Sequence, residues 1–187
     1  ALREAEACGE QLAPTGLVSL LRSLVLLSAS EARGATVPEL GAWLRACLVR
    51  DLALCTPRQL ASVLLDFQAL GLLDDEALVQ IRREVDRCLT ARLFRARDLV
   101  SIMSGYARLP KRAEDRRSLI RPLLPEMIAT MPSCSGTDLC ELVHGFAVVH
   151  LHNRPLLGAW ASHLEEHARK LSPLQLSLVS ADLAKLR

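Results

Sequence analysis

The sequence predicts an all-α fold, an α-solenoid of helix–turn–helix repeats, and three observations carry that prediction. A leucine-anchored apolar pattern recurs along the 187 residues. Several copies are preceded by the same kind of helix-start signal. The composition is 50% hydrophobic but only 3% aromatic, and rich in Leu, Ala, Arg and Glu, which suits helices better than a β-sandwich. Nine Gly and nine Pro are too few for a low-complexity chain, so disorder, collagen and a disulfide miniprotein are excluded.

Five segments align without gaps on a leucine counted as offset zero: Leu17–Ser28, Leu60–Gly71, Leu99–Pro110, Leu139–His150 and Leu176–Arg187. The anchors are 43, 39, 40 and 37 residues apart. Offsets zero, three, seven and ten are apolar in every copy. Offset three holds Leu20, Val63, Ile102, Leu142 and Val179, and offset seven holds Leu24, Phe67, Tyr106, Phe146 and Leu183. Offset ten holds Leu27, Leu70, Leu109, Val149 and Leu186. That spacing lines one face of a helix and cannot line one face of a strand.

Thr56-Pro57-Arg58-Gln59 and Ser172-Pro173-Leu174-Gln175 read as capping boxes: a hydroxyl N-cap, Pro at the first helical position and Gln three residues after the cap. Ser135-Gly136-Thr137-Asp138 is a weaker version, and Pro14 stands at the offset of Pro57 and Pro173. A second helix is expected in each repeat, over Pro38–Arg50, Asp74–Leu89, Ala113–Thr130 and Asn153–Arg169. Pro122 and Pro125 should divide the third of these. A single helix pair cannot bury its stripe, whereas stacked neighbours can. The expectation is one helical-repeat domain over 1–187, part of a longer array of about nine helices here, with repeats near 13–52, 56–90, 95–131, 135–170 and 172–187. Leu178, Leu183 and Leu186 should leave apolar surface on the last helix, to be met by a further repeat or a partner.

The six cysteines (Cys8, Cys47, Cys55, Cys88, Cys134, Cys140) form no CxxC pair, and most fall inside apolar helical patterns as small buried hydrophobes. A reducing compartment is expected. The longest apolar run, near Leu24–Leu27, is far shorter than a membrane span, so no membrane partner is expected. Ala1 in place of an initiator Met is compatible with removal of a targeting segment.

Charge is unevenly spread. From Arg82 to Arg121 there are 12 basic and 5 acidic residues, against 11 and 16 in the remainder of a chain whose net charge is +2. The dense run offers arginine forks that suit phosphate oxygens. Arg95, Arg97, Arg108, Lys111, Arg112, Arg116, Arg117 and Arg121 are the candidate RNA-binding residues, reading as one patch at the third repeat. The bland alternative is a solvated surface partly neutralised by Glu84, Asp86, Glu114 and Asp115. Offsets two, five and nine interrupt polar residues with Leu, Ala and Val (Leu65, Ala69, Val148), which argues against a modular base-reading code.

Thr56–Gly71, Arg97–Pro110 and Thr137–His150 share an x-Pro-x-x-Leu start or a Leu-x-x-Val-x-x-x-Phe/Tyr-Ala core. In these segments the chain resembles the octotricopeptide and heptatricopeptide repeats and the helical region of FAST-kinase-like, RAP-domain-associated proteins. It does not fit the tetratricopeptide period of 34. The resemblance implies an organellar, mostly mitochondrial, location and association with RNA or ribosomes.

His163-Leu164-Glu165-Glu166-His167 matches an H-x-x-E-H zinc pattern, but lacks an evident third ligand and reads better as a solvated helix face. His144, His150 and His152 read as exposed or groove-facing. No nucleophile elbow, P-loop or dinucleotide-binding turn occurs in the sequence. The resulting expectation is a non-catalytic scaffold of an organellar ribonucleoprotein, such as a mitochondrial ribosome component, contacting rRNA backbone and neighbouring proteins. It has no catalytic residues, cofactor, metal or small-molecule substrate. The alternative is a protein–protein adaptor or assembly subunit without RNA contact.

Overall fold

The helices begin where side chains close their first turns. The computed structural model describes residues 13–29 and 36–186, so Cys8 and Arg187 lie outside the described residues. In chain order the helices are α1 (Pro14–Ala29), α2 (Thr36–Asp51), α3 (Pro57–Ala69), α4 (Asp75–Thr90), α5 (Ala96–Ala107), α6 (Ala113–Ile120), α7 (Leu124–Thr130), α8 (Gly136–Val149), α9 (Arg154–His167) and α10 (Pro173–Lys185). Short 3-10 turns follow α2, α6, α7 and α9. No strand occurs among the described residues, and the fold class is all-α.

The caps form as the spacing demands. Gln59 N donates to Thr56 Oγ1 at 3.3 Å while Thr56 N donates to Gln59 Oε1 at 2.8 Å. Ser172 and Gln175 repeat the exchange at 3.2 and 2.9 Å. The Ser135 box closes fully as well, since Asp138 Oδ2 accepts from Ser135 N at 2.9 Å and Ser135 Oγ accepts from Asp138 N at 3.2 Å. Aspartate, one methylene shorter than glutamine, still reaches the cap backbone. Pro122 and Pro125 do divide the third repeat's second helix: it runs as α6, the 3-10 turn Arg121–Leu123, then α7.

The chain divides into two compact units, Ala1–Cys88 and Leu89–Arg187. In the first, α1 packs against α2 and α3. In the second, α8 packs against both α5 and α10, α6 and α7 pack on α5, and α9 packs on α7 and α8. Trp160 Nε1 donates 2.8 Å to Leu139 O and ties α9 to α8. Phe67, Tyr106 and Phe146, all at offset seven, are fully buried. Other positions of the apolar stripe are open at the terminal copies: Leu20 (offset three) is 44% and Leu27 (offset ten) 56% exposed on α1, and Leu176 (offset zero) is 40% and Leu183 (offset seven) 37% exposed on α10, whereas Leu24 at offset seven of α1 is buried.

Within each unit, consecutive leucine-anchored helices run parallel and exchange polar contacts in one recurring register. Arg22 at offset five of α1 reaches Asp66 at offset six of α3, 2.5 Å. His144 at offset five of α8 reaches Asp182 at offset six of α10, 3.0 Å, and Lys185 completes that carboxylate at 2.8 Å. Nearer the helix starts, Gln59 Nε2 donates to Thr15 Oγ1 at 2.9 Å, and Gln175 Nε2 to Thr137 Oγ1 at 3.5 Å. At the equivalent position between α5 and α8, Arg97 Nη1 reaches Asp138 at 2.6 Å and Glu141 at 2.7 Å, and Ser104 Oγ donates to Glu141 at 2.9 Å. Offset six of α8 is Gly145, where a Cβ would collide with Met103 of α5.

These carboxylates are buried, and their titration divides by unit. Burial pushes the Asp66 carboxyl above the ordinary value despite the hydrogen bond from Arg22. Burial works the same way on Asp138, but hydrogen bonds from Ser135 and Arg97 outweigh it and the net shift is downward. Asp182 is likewise lowered, burial being outweighed by Lys185 and His144.

Phe67→Ala removes a fully buried ring and is expected to lower unfolding free energy by about 3–5 kcal/mol, read by denaturant titration. The buried carboxylates set the response to acid. A lowered native pKa gives stability that is complete above the unfolded carboxylate pKa, near 4, and is lost as pH falls through the native value. Asp138 and Asp182 therefore make the second unit acid-sensitive below about pH 4. Arg97→Ala should cost roughly 1–3 kcal/mol at neutral pH, because it removes a charge-assisted bond to a buried carboxylate. It should also flatten the acid limb, since Asp138 then titrates closer to its unfolded value. Circular dichroism melts from pH 3 to 7 check both effects.

Candidate nucleic-acid interface

The eight candidate residues fall into two groups at opposite ends of α5, separated by its 12 residues, or roughly 18 Å. Arg95 and Arg97 stand at the start of α5. Arg95 is the exposed N-cap residue, and its backbone N–H is held by Asp98 Oδ2 at 3.2 Å. Arg97 is engaged by Asp138 and Glu141 as described, and although its side chain is 57% exposed, both carboxylates hold it against α8.

The other six residues lie past the C-terminal end of α5. Arg108 is its exposed C-cap, and Lys111 and Arg112 follow in the turn to α6. Arg116 Nη1 donates 2.7 Å to Ala107 O, placing a cation on the carbonyl end of α5, where the helix dipole is negative. Arg117 pairs with Glu114 at 2.5 Å, and Arg121 shares that carboxylate at 3.5 Å. Their charge draws the Glu114 carboxyl below its usual range, with the Arg117 hydrogen bond the largest cause. The five arginines among them sort by chemistry. Arg116 is a helix-end contact, Arg117 and Arg121 share one carboxylate, and Arg108 and Arg112 are exposed with no ion pair among the described residues.

Because α5 and α8 run parallel, their C-terminal ends share this side of the second unit, and a groove opens there of about 740 Å³. Leu124, Pro125, Ile128 and Pro155 give it apolar lining. His150 and His152, both exposed, stand at the α8–α9 turn beside Arg117 and Arg121. Arg117 Nη1 donates to His150 O at 3.4 Å, joining α6 to that turn. α9 starts at the same place, its N-cap Asn153 accepting from Leu156 N at 2.9 Å.

His150 adopts the left-handed conformation, φ 50° and ψ 51°, and Leu151 N donates to Phe146 O at 2.9 Å to close α8. The second repeat ends α3 in the same way at the equivalent offset, with Leu72 N on Phe67 O at 2.8 Å, but uses Gly71 at φ 68°. Glycine holds that conformation without a Cβ conflict, whereas another L-residue bears about 1–2 kcal/mol. By sequence alone His150 and His152 are unexceptional. The one signal that sets His150 apart is its place at an offset where another repeat carries glycine.

The remaining candidates sit apart. His163 Nδ1 lies 3.6 Å from Glu166 on α9, and no cluster of three His, Cys, Asp or Glu suited to a metal occurs among the described residues. Cys55 and Cys134 occupy equivalent buried positions just before the caps of α3 and α8, and burial pushes both thiols up to about 11, far from a nucleophilic thiolate at neutral pH. The offset-five side chains Arg22, Ser104 and His144 contact the next anchor helix, which accounts for the mixed chemistry of that face. No helix among the described residues is long and apolar enough to cross a membrane. Compared with known proteins, the chain matches no family model and no curated protein sequence.

Proposed function

We infer that the chain is a non-catalytic α-solenoid scaffold of an organellar ribonucleoprotein, a mitochondrial ribosome component being the specific form of that reading, and that it binds the backbone of folded RNA. The solenoid part rests on the recurring register: the same offsets carry the polar contacts from α1 to α3, from α5 to α8 and from α8 to α10. The RNA part rests on one observation. At the C-terminal end of α5, Arg108 and Arg112 flank Lys111 and are exposed without an ion pair among the described residues, while neighbouring Arg117 and Arg121 share a single carboxylate. Such a cluster attracts phosphate oxygens with little sequence preference. The organellar location comes from the repeat resemblance.

A second reading is favoured by α10. Leu174 and Leu178 are 69% and 55% exposed, at positions where α8 carries Thr137 and Glu141. An apolar face of that kind suits a protein neighbour, either beside RNA in one particle or, in the adaptor reading, without it.

The test is the salt dependence of RNA binding. Replacing Arg108, Lys111 and Arg112 together by Gln is expected to weaken binding to structured RNA. It should also reduce the slope of log affinity against log salt by a little under one unit for each phosphate no longer neutralised, about 2–3 in all. Thermal stability should stay within about 0.5 kcal/mol, because these are surface charges away from the packed core. Unaltered affinity and slope in the triple variant would transfer the assignment to the adaptor reading.

A further inference from the structure

We propose that the groove between α6–α7 and the α8–α9 turn receives one unpaired nucleotide of the bound RNA, its base against the apolar lining and the His150 and His152 rings, its phosphate on Arg121 and Arg117. This rests on the RNA reading and specifies a site for it.

Three features of the groove select that ligand. Its volume, about 740 Å³, is ample for a nucleotide and within the ordinary range of small-ligand sites, roughly 300–1,000 Å³. Its apolar lining by Leu124, Ile128 and Pro155 suits a flat, weakly hydrated face and is wasted on a bare phosphate. Its rim carries two guanidiniums against the single carboxylate of Glu114, leaving net positive charge where a phosphate attached to that flat group would lie. Imidazole and guanidinium planes stack on unpaired bases of any sequence.

The backbone of His150 is the independent observation. Gly71 shows that this turn closes equally well with glycine, so the turn itself does not call for an imidazole. At the mouth of the groove the chain nevertheless holds an imidazole in the left-handed conformation, which among the described non-glycine residues only Arg92 shares and which is enriched at ligand sites. An acidic peptide with apolar residues would satisfy the lining and the rim charge. The nucleotide is favoured because the groove opens at the same end of the unit as Arg108, Lys111 and Arg112, so one RNA strand can meet both.

His150→Gly combined with His152→Ala tests the site, because the first change keeps the turn and the second lies in an exposed loop. The intact chain is titrated with a short single-stranded RNA and with a duplex of the same length. The expected result is about a tenfold loss of single-strand affinity in the double variant, with duplex affinity, salt slope and melting temperature no lower than in the parent. His152→Ala alone should give a smaller loss in the same direction. Unchanged single-strand affinity in the double variant overturns the groove assignment while RNA binding through Arg108, Lys111 and Arg112 persists. Imidazole resonances of His150 and His152 that move with an alternating glutamate–leucine peptide but not with RNA overturn it in favour of a peptide site. Absence of any RNA binding by the parent chain at low salt overturns the RNA reading itself, and this inference with it.

Discussion

Each consecutive pair of leucine-anchored helices described within a unit meets through a buried carboxylate, and that carboxylate must be answered by a cation or hydrogen bonds from the helix before it. Asp66, Asp138 and Asp182 are nearly inaccessible to water. An isolated ionised carboxylate in such a place is too costly to persist. Arg22, Arg97 and His144, with Lys185, answer the three. The apolar stripes alone do not define one register, because leucines recur every three or four residues and a helix slipped by a turn still finds apolar neighbours. A slipped helix would strand its aspartate. Ion pairs of this kind add little net stability over an apolar contact, but they penalise the wrong alignment severely. The glycine at offset six of α8 belongs to the same logic. With no aspartate there, Met103 takes the space, and the carboxylate contacts move to Asp138 and Glu141.

This constraint also decides which cations remain for a ligand. Arg97 looks like a phosphate contact by density of charge, yet it sits between two carboxylates of α8. Arg116 is bound to the carbonyl end of α5. A guanidinium already balanced by two carboxylates, as Arg97 is, would have to exchange them for phosphate, gaining little. Charge therefore concentrates, for binding purposes, at Arg108 and Arg112 and at the half-neutralised pair Arg117 and Arg121. All four lie past the C-terminal end of α5 and so share one edge of the second unit.

Much of the architecture was legible because it is local. Offset seven predicted burial of Phe67, Tyr106 and Phe146, and all three are fully buried. Thr56–Gln59 and Ser172–Gln175 cap as their spacing requires. Pro122 and Pro125 break the helix they interrupt. The illegible parts depend on partners some 40 residues away. Nothing within Arg97's own helix marks it as the partner of Asp138, and Arg22, Ser104 and His144 look like a mixed polar face until the next anchor helix is placed beside them. The repeat alignment did contain the clue, since Arg22 and Asp66 stand at the same offsets as His144 and Asp182. The groove was illegible for a related reason. Its lining comes from α6, α7 and the α8–α9 turn, three segments with no shared sequence pattern.

The second unit consequently presents two faces of unlike chemistry. Its loop edge is cationic and carries imidazoles over apolar lining. The free side of α10 is leucine-rich where the inner anchor helices are polar. Leu174 and Leu178 replace the Thr137 and Glu141 of α8, and the Arg97 and Ser101 of α5. Of these, Arg97, Thr137 and Glu141 make polar contacts to the neighbouring anchor helix. A neighbour meeting α10 cannot use that polar ladder and must be matched by apolar contact, whose strength follows area at about 25 cal/mol per Å² and is insensitive to salt. RNA offers no such surface in duplex form. The two faces therefore suit different chemistry: phosphate contacts at the arginine edge would weaken as salt rises, and apolar contacts on α10 would not.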